Sequence, residues 1–448
     1  MSALAGRDNI ASQRRNSQLT VANLLRQYAP QFIQRHPRQA VPQVQSTLAK
    51  LSLCRTAALG GRTLQCESCD HQCIVYNSCG DRHCPRCGGA KRANWLEATE
   101  ELLLPEVNYF QVVFTLPDVL SAVALGNRRA IYGLLMRAAW RALKEVLQKE
   151  QGIEPAAVMV LHTWNQELDH HPHVHALVPG GGPSLSGDRW ITTRHPKHRR
   201  RTKPYLVDNR LLGEKFREHF CHRLKRLHRK GLIAFDPPFL PGVDEPTFAE
   251  WVDRLGPVWN VFIEAPPEHS RPQHVIKYLA RYLTGGPIAA RRLISHEKGQ
   301  VTFWARSKNK KTGNKPRGFT LPGTEFVRRW SMHILPKGFT KTRHYGGFSC
   351  RHRQDYLRRC RQLLRIVEPE DERPVERFLG DDTVEPKRTC PHCQGELICT
   401  ASTPRPCWRN LFDEHATCPL WYQPSLSISR HTRIRGPDPT ASAVACPL

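Results

Sequence analysis

Two histidines one residue apart, His173 and His175 in HHPHVHALVPGGG, lie in the most informative segment of this 448-residue chain and have a spacing that suits metal chemistry. On an extended strand alternate side chains share a face, so both imidazoles can reach one divalent ion while Val174 and Ala176 turn away. The preceding stretch LHTWNQE ends at Gln166 and Glu167. Gln166 is the expected oxygen ligand, with Glu167 as its substitute. Such a set leaves positions open for a phosphate and suits Mg²⁺ or Mn²⁺ acting as a Lewis acid. A second pair, Tyr278 and Tyr282 in KYLARYL, stands at i and i+4 with Lys277 and Arg281 beside it. On a helix the two phenols project from one face, about 6 Å apart. Aromatic pairs at that spacing ordinarily pack in a core, but Val275, Ile276, Leu279 and Leu283 form an apolar stripe of their own. A phenolate can attack a DNA phosphodiester, leaving a 5′-phosphotyrosine and a free 3′-hydroxyl, and two phenols permit two successive transfers.

Cysteines make the third constellation. Seven of the 16 fall between Cys54 and Cys87, and Cys66-x-x-Cys69 is separated from Cys84-x-x-Cys87 by 14 residues. Two such knuckles can offer four thiolates to one zinc ion. Cys54, Cys79 and His83 then remain, with Cys73, as a second site or as groups around the first. Arg82, Arg86, Lys91 and Arg92 surround the knuckles. They read either as a solvated basic face or as contacts for DNA phosphates.

Composition points the same way. Lys and Arg number 67 against 40 Asp and Glu, a formal charge of +27, which calls for a polyanionic partner and favours nucleic acid. A mean hydropathy of −0.52 and the lack of any long apolar run exclude a membrane-spanning chain. The first twenty residues show no secretory pattern, so the expected location is the bacterial cytoplasm, on the nucleoid, where thiols stay reduced.

These residues need elements to hold them. VNYFQVVFTL (107–116) reads as a buried strand, 128–150 as an amphipathic helix, and AAVMVLHTW with HVHALV as a paired hairpin closed near Pro179. Residues 209–230 read as a basic helix, WNVFIEA as a strand, QHVIKYLARYLT as a helix and GQVTFWARS as a strand. The order predicts an α+β fold with an antiparallel sheet and helices on one face. The expected domains are an N-terminal helical segment (1–53), a small zinc-ribbon-like domain (54–95), a catalytic domain (105–350), a segment with CPHC (351–400) and a loose tail (401–448). Cys390, Cys393, Cys407 and Cys418 could form another ribbon, although they stand at irregular spacing in and beyond that segment.

Histidine–hydrophobe–histidine is the signature of HUH nucleases, whereas alternating His and apolar residues also occur in histidine-triad hydrolases. The tyrosine pair and the charge of +27 favour the first. Taken together, CRTAALGG, YNSCGDRHCPRC, FTLP, LHTWNQ, HPHVHALVPGGG, YLARYLTGGPI and FVRRWSMHILPKGFTKTRHYGGF resemble the rolling-circle, two-tyrosine transposases of bacterial insertion sequences, the insertion sequence 91 family. The resemblance spans roughly 18–350, and CPHCQGEL resembles the family's C-terminal end. It implies an HUH core of ferredoxin- or RRM-like kind behind a zinc module. It also implies His173 and His175 as metal ligands, Tyr278 and Tyr282 as nucleophiles, Cys66, Cys69, Cys84 and Cys87 on zinc, and single-stranded DNA at the element ends plus target DNA as partners. Gln111 departs from the pattern, since the family often has His there. A replication initiator or relaxase shares the chemistry, and a non-catalytic zinc DNA-binding remnant shares the charge.

Overall fold

Alternation of apolar residues builds the central sheet. The structure, a computed structural model, describes residues 19–69, 71–195, 204–233, 245–265, 286–306, 316–366 and 389–413. Strands β3 (Tyr109–Thr115), β4 (Ala156–Trp164) and β5 (His170–Pro179) are antiparallel neighbours, and the full order is β12-β4-β5-β3-β8, with β8 at Val261–Glu264 and β12 at Thr342–Gly346. One face carries Phe110, Val112, Phe114, Met159, Leu161, Val174 and Ala176, all buried under helices α4 (Leu120–Gly126), α5 (Arg128–Gln151), α6 (Asn209–Arg229) and α7 (Glu245–Asp253). Helix α5 presents Ile131, Leu134, Leu135, Ala138, Ala139 and Ala142 on one stripe and ends at Gly152, whose φ of +69° suits the left-handed turn that stops a helix. Helix α6 begins at Asp208, whose side chain accepts the Leu211 N–H, and ends in basic residues that suit the negative end of its dipole.

The opposite face of the sheet is divided. At one end Tyr109, Val158 and Leu177 are covered by Tyr356, Leu357 and Cys360 of α9 (Arg353–Leu363); at the other lie the histidines. Helices therefore cover parts of both faces, not one alone. Gly346, which closes β12 at φ +59°, lies where an added Cβ would collide with the Pro155 carbonyl and the Trp140 ring. The RHYGGF run thus has a steric reason for its first glycine.

A second core forms where α1 (Val21–Arg35) and α2 (Pro42–Ser52) pack with α8 (Gly323–Ser331) and the antiparallel sheet β9 (Leu293–Glu297), β10 (Gln300–Arg306) and β11 (Pro316–Pro322), ordered β11-β10-β9. GQVTFWARS is therefore a strand, but of this separate sheet. A third sheet, ordered β13-β1-β2, joins β1 (Gly61–Cys66) and β2 (Gln72–Tyr76) to β13 (Leu397–Thr403) from the far end of the chain. Helix α3 (Gly88–Glu100) leads from the cysteine knuckles towards β3; β6 (Gly181–Pro183) and β7 (Trp190–Thr192) form a short ribbon. The last helix is α10 (Trp408–Asp413). The helix expected over QHVIKYLARYLT lies outside the described residues. No helix among the described residues is long and apolar enough to cross a membrane.

Candidate metal centre and zinc clusters

Register on the central sheet gathers three imidazoles, not two. His162 of β4 stands opposite His173 of β5, and His175 stands opposite Val160, so period-two geometry places all three histidines on the same face. Ring centroids are separated by 5.4 Å (His162–His173), 4.6 Å (His162–His175) and 4.9 Å (His173–His175), and one nitrogen from each lies within 4.8 Å of the others. His162 and His175 are buried, and His173 is half-buried. Burial holds the His173 imidazole down at about 4 and His175 at about 3, so both are neutral near pH 7 and keep a lone pair for a metal. His173 donates Nδ1–H to the His171 carbonyl at 2.7 Å, which leaves Nε2 for the cluster. His175 Nδ1 meets the Gln111 side-chain amide at 3.2 Å, while Gln111 Oε1 is buried without a partner. Turning that amide over would let Oε1 accept Nδ1–H from His175 and free its Nε2 in the same way.

The trio opens on a cavity of about 240 Å³ walled also by Trp164, Gln166, Glu167 and Arg306. Trp164 stacks on His162 with centroids 4.8 Å apart, and the Lys341 ammonium lies 5.0 Å from the Trp164 ring. Gln166, the expected oxygen ligand, is exposed at the cavity wall, and His162 joins His173 and His175 in the cluster. Its substitute Glu167 lies on the same wall, 3.5 Å from Arg317. The turn that carries both is pinned. Asn165 Oδ1 accepts the N–H groups of Glu167 and Asp169, and Arg329 donates to the Glu167 carbonyl and the Asp169 carboxylate. Behind it, His333 Nε2 donates to the Leu168 carbonyl at 3.0 Å. Tyr278, Tyr282, Lys277 and Arg281 lie outside the described residues.

The cysteines divide differently from the expectation. Cys66, Cys69, Cys84 and Cys87 do not meet at one point; they belong to two four-sulfur clusters. Cys84 and Cys87 join Cys54, which follows α2, and Cys79, which follows β2, at sulfur separations of 3.5 to 3.6 Å. Cys66 and Cys69 join Cys390 and Cys393, at 3.4 Å (Cys66–Cys393) and 3.7 Å (Cys69–Cys390). The reason is topological: β1 carries Cys66 away from the Cys84 knuckle and towards the partner strand β13. His83 belongs to neither cluster, because its Nδ1 bonds Asp81 at 2.8 Å and its Nε2 accepts the Leu335 N–H at 3.0 Å. Arg82 likewise docks, donating to the carbonyls of Phe339 and Pro336 at 2.6 and 2.9 Å. Arg86 is exposed, and the backbone of Lys91 and Arg92 lies on α3.

The comparisons with known proteins agree with this layout. A family model for the transposase zinc-binding domain of insertion sequence 91 matches residues 24–116, and one described as "Putative transposase" matches 156–355. A relative from Sinorhizobium fredii described as "Putative transposase y4qJ" is 37% identical over 389 residues, covering 84% of this chain and 94% of the relative. The transposase for insertion sequence element IS801 of Pseudomonas savastanoi pv. phaseolicola is 26% identical over 326 residues, 72% of this chain and 74% of that one. This chain belongs to the insertion sequence 91 transposase family. No solved structure matches it. In the transposase the zinc-binding match contains the cluster of Cys54, Cys79, Cys84 and Cys87, and the second match contains His162, His173, His175, Tyr278 and Tyr282.

His162 is the functional candidate that sequence reasoning missed, and the Cys390 knuckle, weighed there as part of a further ribbon with Cys407 and Cys418, meets Cys66 and Cys69 instead. His162 had a signal: it lies two residues before Trp164 in a strand facing HPHVH. The CPHC knuckle had one too, as the chain's remaining C-x-x-C after the first two.

Proposed function

We propose that this transposase cuts and rejoins single-stranded DNA at the ends of its element, using Tyr278 and Tyr282 as nucleophiles beside a divalent ion held by His162, His173 and His175. The observation that carries the reading is the gathering of three imidazoles, two of them held neutral by burial, at the mouth of a cavity in the region matched to the transposase family. A metal ion there would polarise the non-bridging oxygens of a phosphate. The nitrogen-rich donor set suits Mn²⁺ better than Mg²⁺, with Glu167 as a nearby oxygen donor.

The remaining work falls to side chains. A tyrosine oxygen forms a bond to phosphorus, the bond to the 3′ oxygen breaks, and that oxygen gains a proton as the 3′-hydroxyl. The strand then stays attached as a 5′-phosphotyrosine. A second tyrosine can repeat the step on target DNA while the first holds its strand, the logic of rolling-circle transposition. Arg306 on the cavity wall offers a cation to the backbone. Trp304, two residues earlier on the same outward row of β10 and 47% exposed, offers a stacking surface for a base. Arg86, Lys91 and Arg92 add phosphate contacts from the zinc-binding domain, and the enzyme acts in the bacterial cytoplasm on nucleoid DNA.

The test is to trap the covalent species. Nuclease-trimmed product from a reaction with an end-derived single-stranded oligonucleotide is digested and mapped by mass spectrometry. A nucleotide on the peptide containing Tyr278 or Tyr282 is the expected result. Cleaved DNA with no nucleotide on either tyrosine would overturn the reading.

A further inference from the structure

Both family matches stop short of Cys390 and Cys393. We infer that the transposase binds a second structural zinc ion on Cys66, Cys69, Cys390 and Cys393, and that this ion clasps the C-terminal arm of the chain to the N-terminal zinc-binding domain. The inference rests on the zinc reading of that domain and extends it to residues 321 and 327 positions away along the chain.

The two halves of the cluster have the same local architecture. In each C-x-x-C knuckle the N–H two residues after the first cysteine donates to that cysteine's sulfur: Ser68 to Cys66 and His392 to Cys390, both at 3.4 Å. Backbone N–H groups aimed at sulfur stabilise the thiolate form that a zinc ion requires. The knuckles pack face to face, with the His71 and His392 rings 4.3 Å apart. Gly395 permits the approach, since a Cβ there would lie 2.5 Å from Ser68 Oγ and 3.2 Å from Cys66 Sγ. Four free sulfurs lie within 4.8 Å of one another, the arrangement of a tetrahedral thiolate site.

The arm is built to be held there. Strand β13 pairs with β1 along its length, from Gly61 opposite Thr403 to Cys66 opposite Leu397. Asn77 donates to the Thr403 carbonyl at 3.0 Å, and Leu411 is buried in the second core beside Trp408. Yet β13 itself is largely exposed and contributes little apolar burial, so an ion at its base supplies what packing there does not. The zinc-binding domain is thus a two-ended unit, complete only once the last part of the chain is present.

The test uses the full chain as purified. Zinc is counted per chain by elemental mass spectrometry, and each cysteine's alkylation rate is read at the peptide level before and after chelation. The clasp predicts two zinc ions, falling to one in the Cys390→Ser/Cys393→Ser variant and staying at two in Cys399→Ser. In the wild-type protein it predicts that Cys393, although exposed, reacts at least tenfold more slowly than exposed Cys399 and Cys407, and that chelation removes the difference. The alkylation reading needs no variant to fold. One zinc in the wild type with Cys393 as reactive as Cys399 would overturn the clasp and leave the Cys54 cluster intact; no zinc at all would overturn the zinc reading itself.

Discussion

Gln111 gives the sharpest quantitative handle on the metal centre. It is buried at 7% exposure, touches His175 Nδ1 at 3.2 Å, and has an oxygen with no partner. Replacing it with Leu removes the group that fixes which nitrogen of His175 carries the proton. Because burial keeps that ring neutral near pH 7 with or without Gln111, the change acts on the tautomer and ring orientation, not on charge. Loss of such an outer hydrogen bond weakens metal binding by about 10- to 100-fold, roughly 1.4 to 2.7 kcal/mol. Stability should move the other way or not at all, since in either orientation of the amide one of its buried polar atoms lacks a partner and is removed with it. Gln111→Glu keeps an acceptor for Nδ1–H and should retain affinity. Mn²⁺ titration followed by electron paramagnetic resonance measures the first quantity, and thermal denaturation without added Mn²⁺ measures the second. Unchanged Mn²⁺ affinity in Gln111→Leu would refute the argument, as would a loss of affinity accompanied by an equal loss of stability.

Two further outcomes are expected. His170 is buried, accepts the Tyr132 hydroxyl at 2.7 Å, and is pushed down to about 3 by burial first and by Arg128 second. Its folded value lies below the unfolded value of about 6.5, so the unfolded chain binds the extra proton and stability falls as pH drops from about 6.5 towards 3. At pH 5 this amounts to about 2 kcal/mol; a His170→Gln variant, measured against wild type by urea denaturation at pH 7 and pH 5 so that zinc effects cancel, should lack that part of the acid sensitivity. Equal acid sensitivity in the two proteins would contradict it. Trp304→Ala should weaken binding of a single-stranded oligonucleotide by about 1 to 3 kcal/mol without changing the Mn²⁺ affinity, checked by fluorescence anisotropy at fixed salt.

Much of the scaffold was legible because local pattern and tertiary role coincide. The stripe of Ile131, Leu134, Leu135 and Ala138 marks α5, and the apolar run of β3 marks a largely buried strand flanked on both edges. Strand β12 was not legible: TRHYG has no apolar alternation because it is an edge strand, half-buried throughout. His162 was obscured for the opposite reason. Strand β4 is buried along eight of its nine residues, so it reads as a continuous apolar run and its period-two face disappears. The cysteine spacing announced metal, but which knuckles meet depends on β1 pairing with a strand more than 300 residues away, and no local pattern encodes that. For His83 and Arg82, residue type suggested a ligand and a phosphate contact, whereas the carbonyl and amide groups of residues 335–339 bind both.

The most direct test of the central claim compares His162→Ala with Gln166→Ala in the same reaction. Each protein is incubated with Mn²⁺ and a labelled single-stranded oligonucleotide from the element's end, and the protein–DNA adduct is quantified on a denaturing gel. The account predicts adduct from wild type and from Gln166→Ala, and a loss of at least a hundredfold in His162→Ala, matched by chelation and by the Tyr278→Phe/Tyr282→Phe double variant. Full adduct formation by His162→Ala would contradict it.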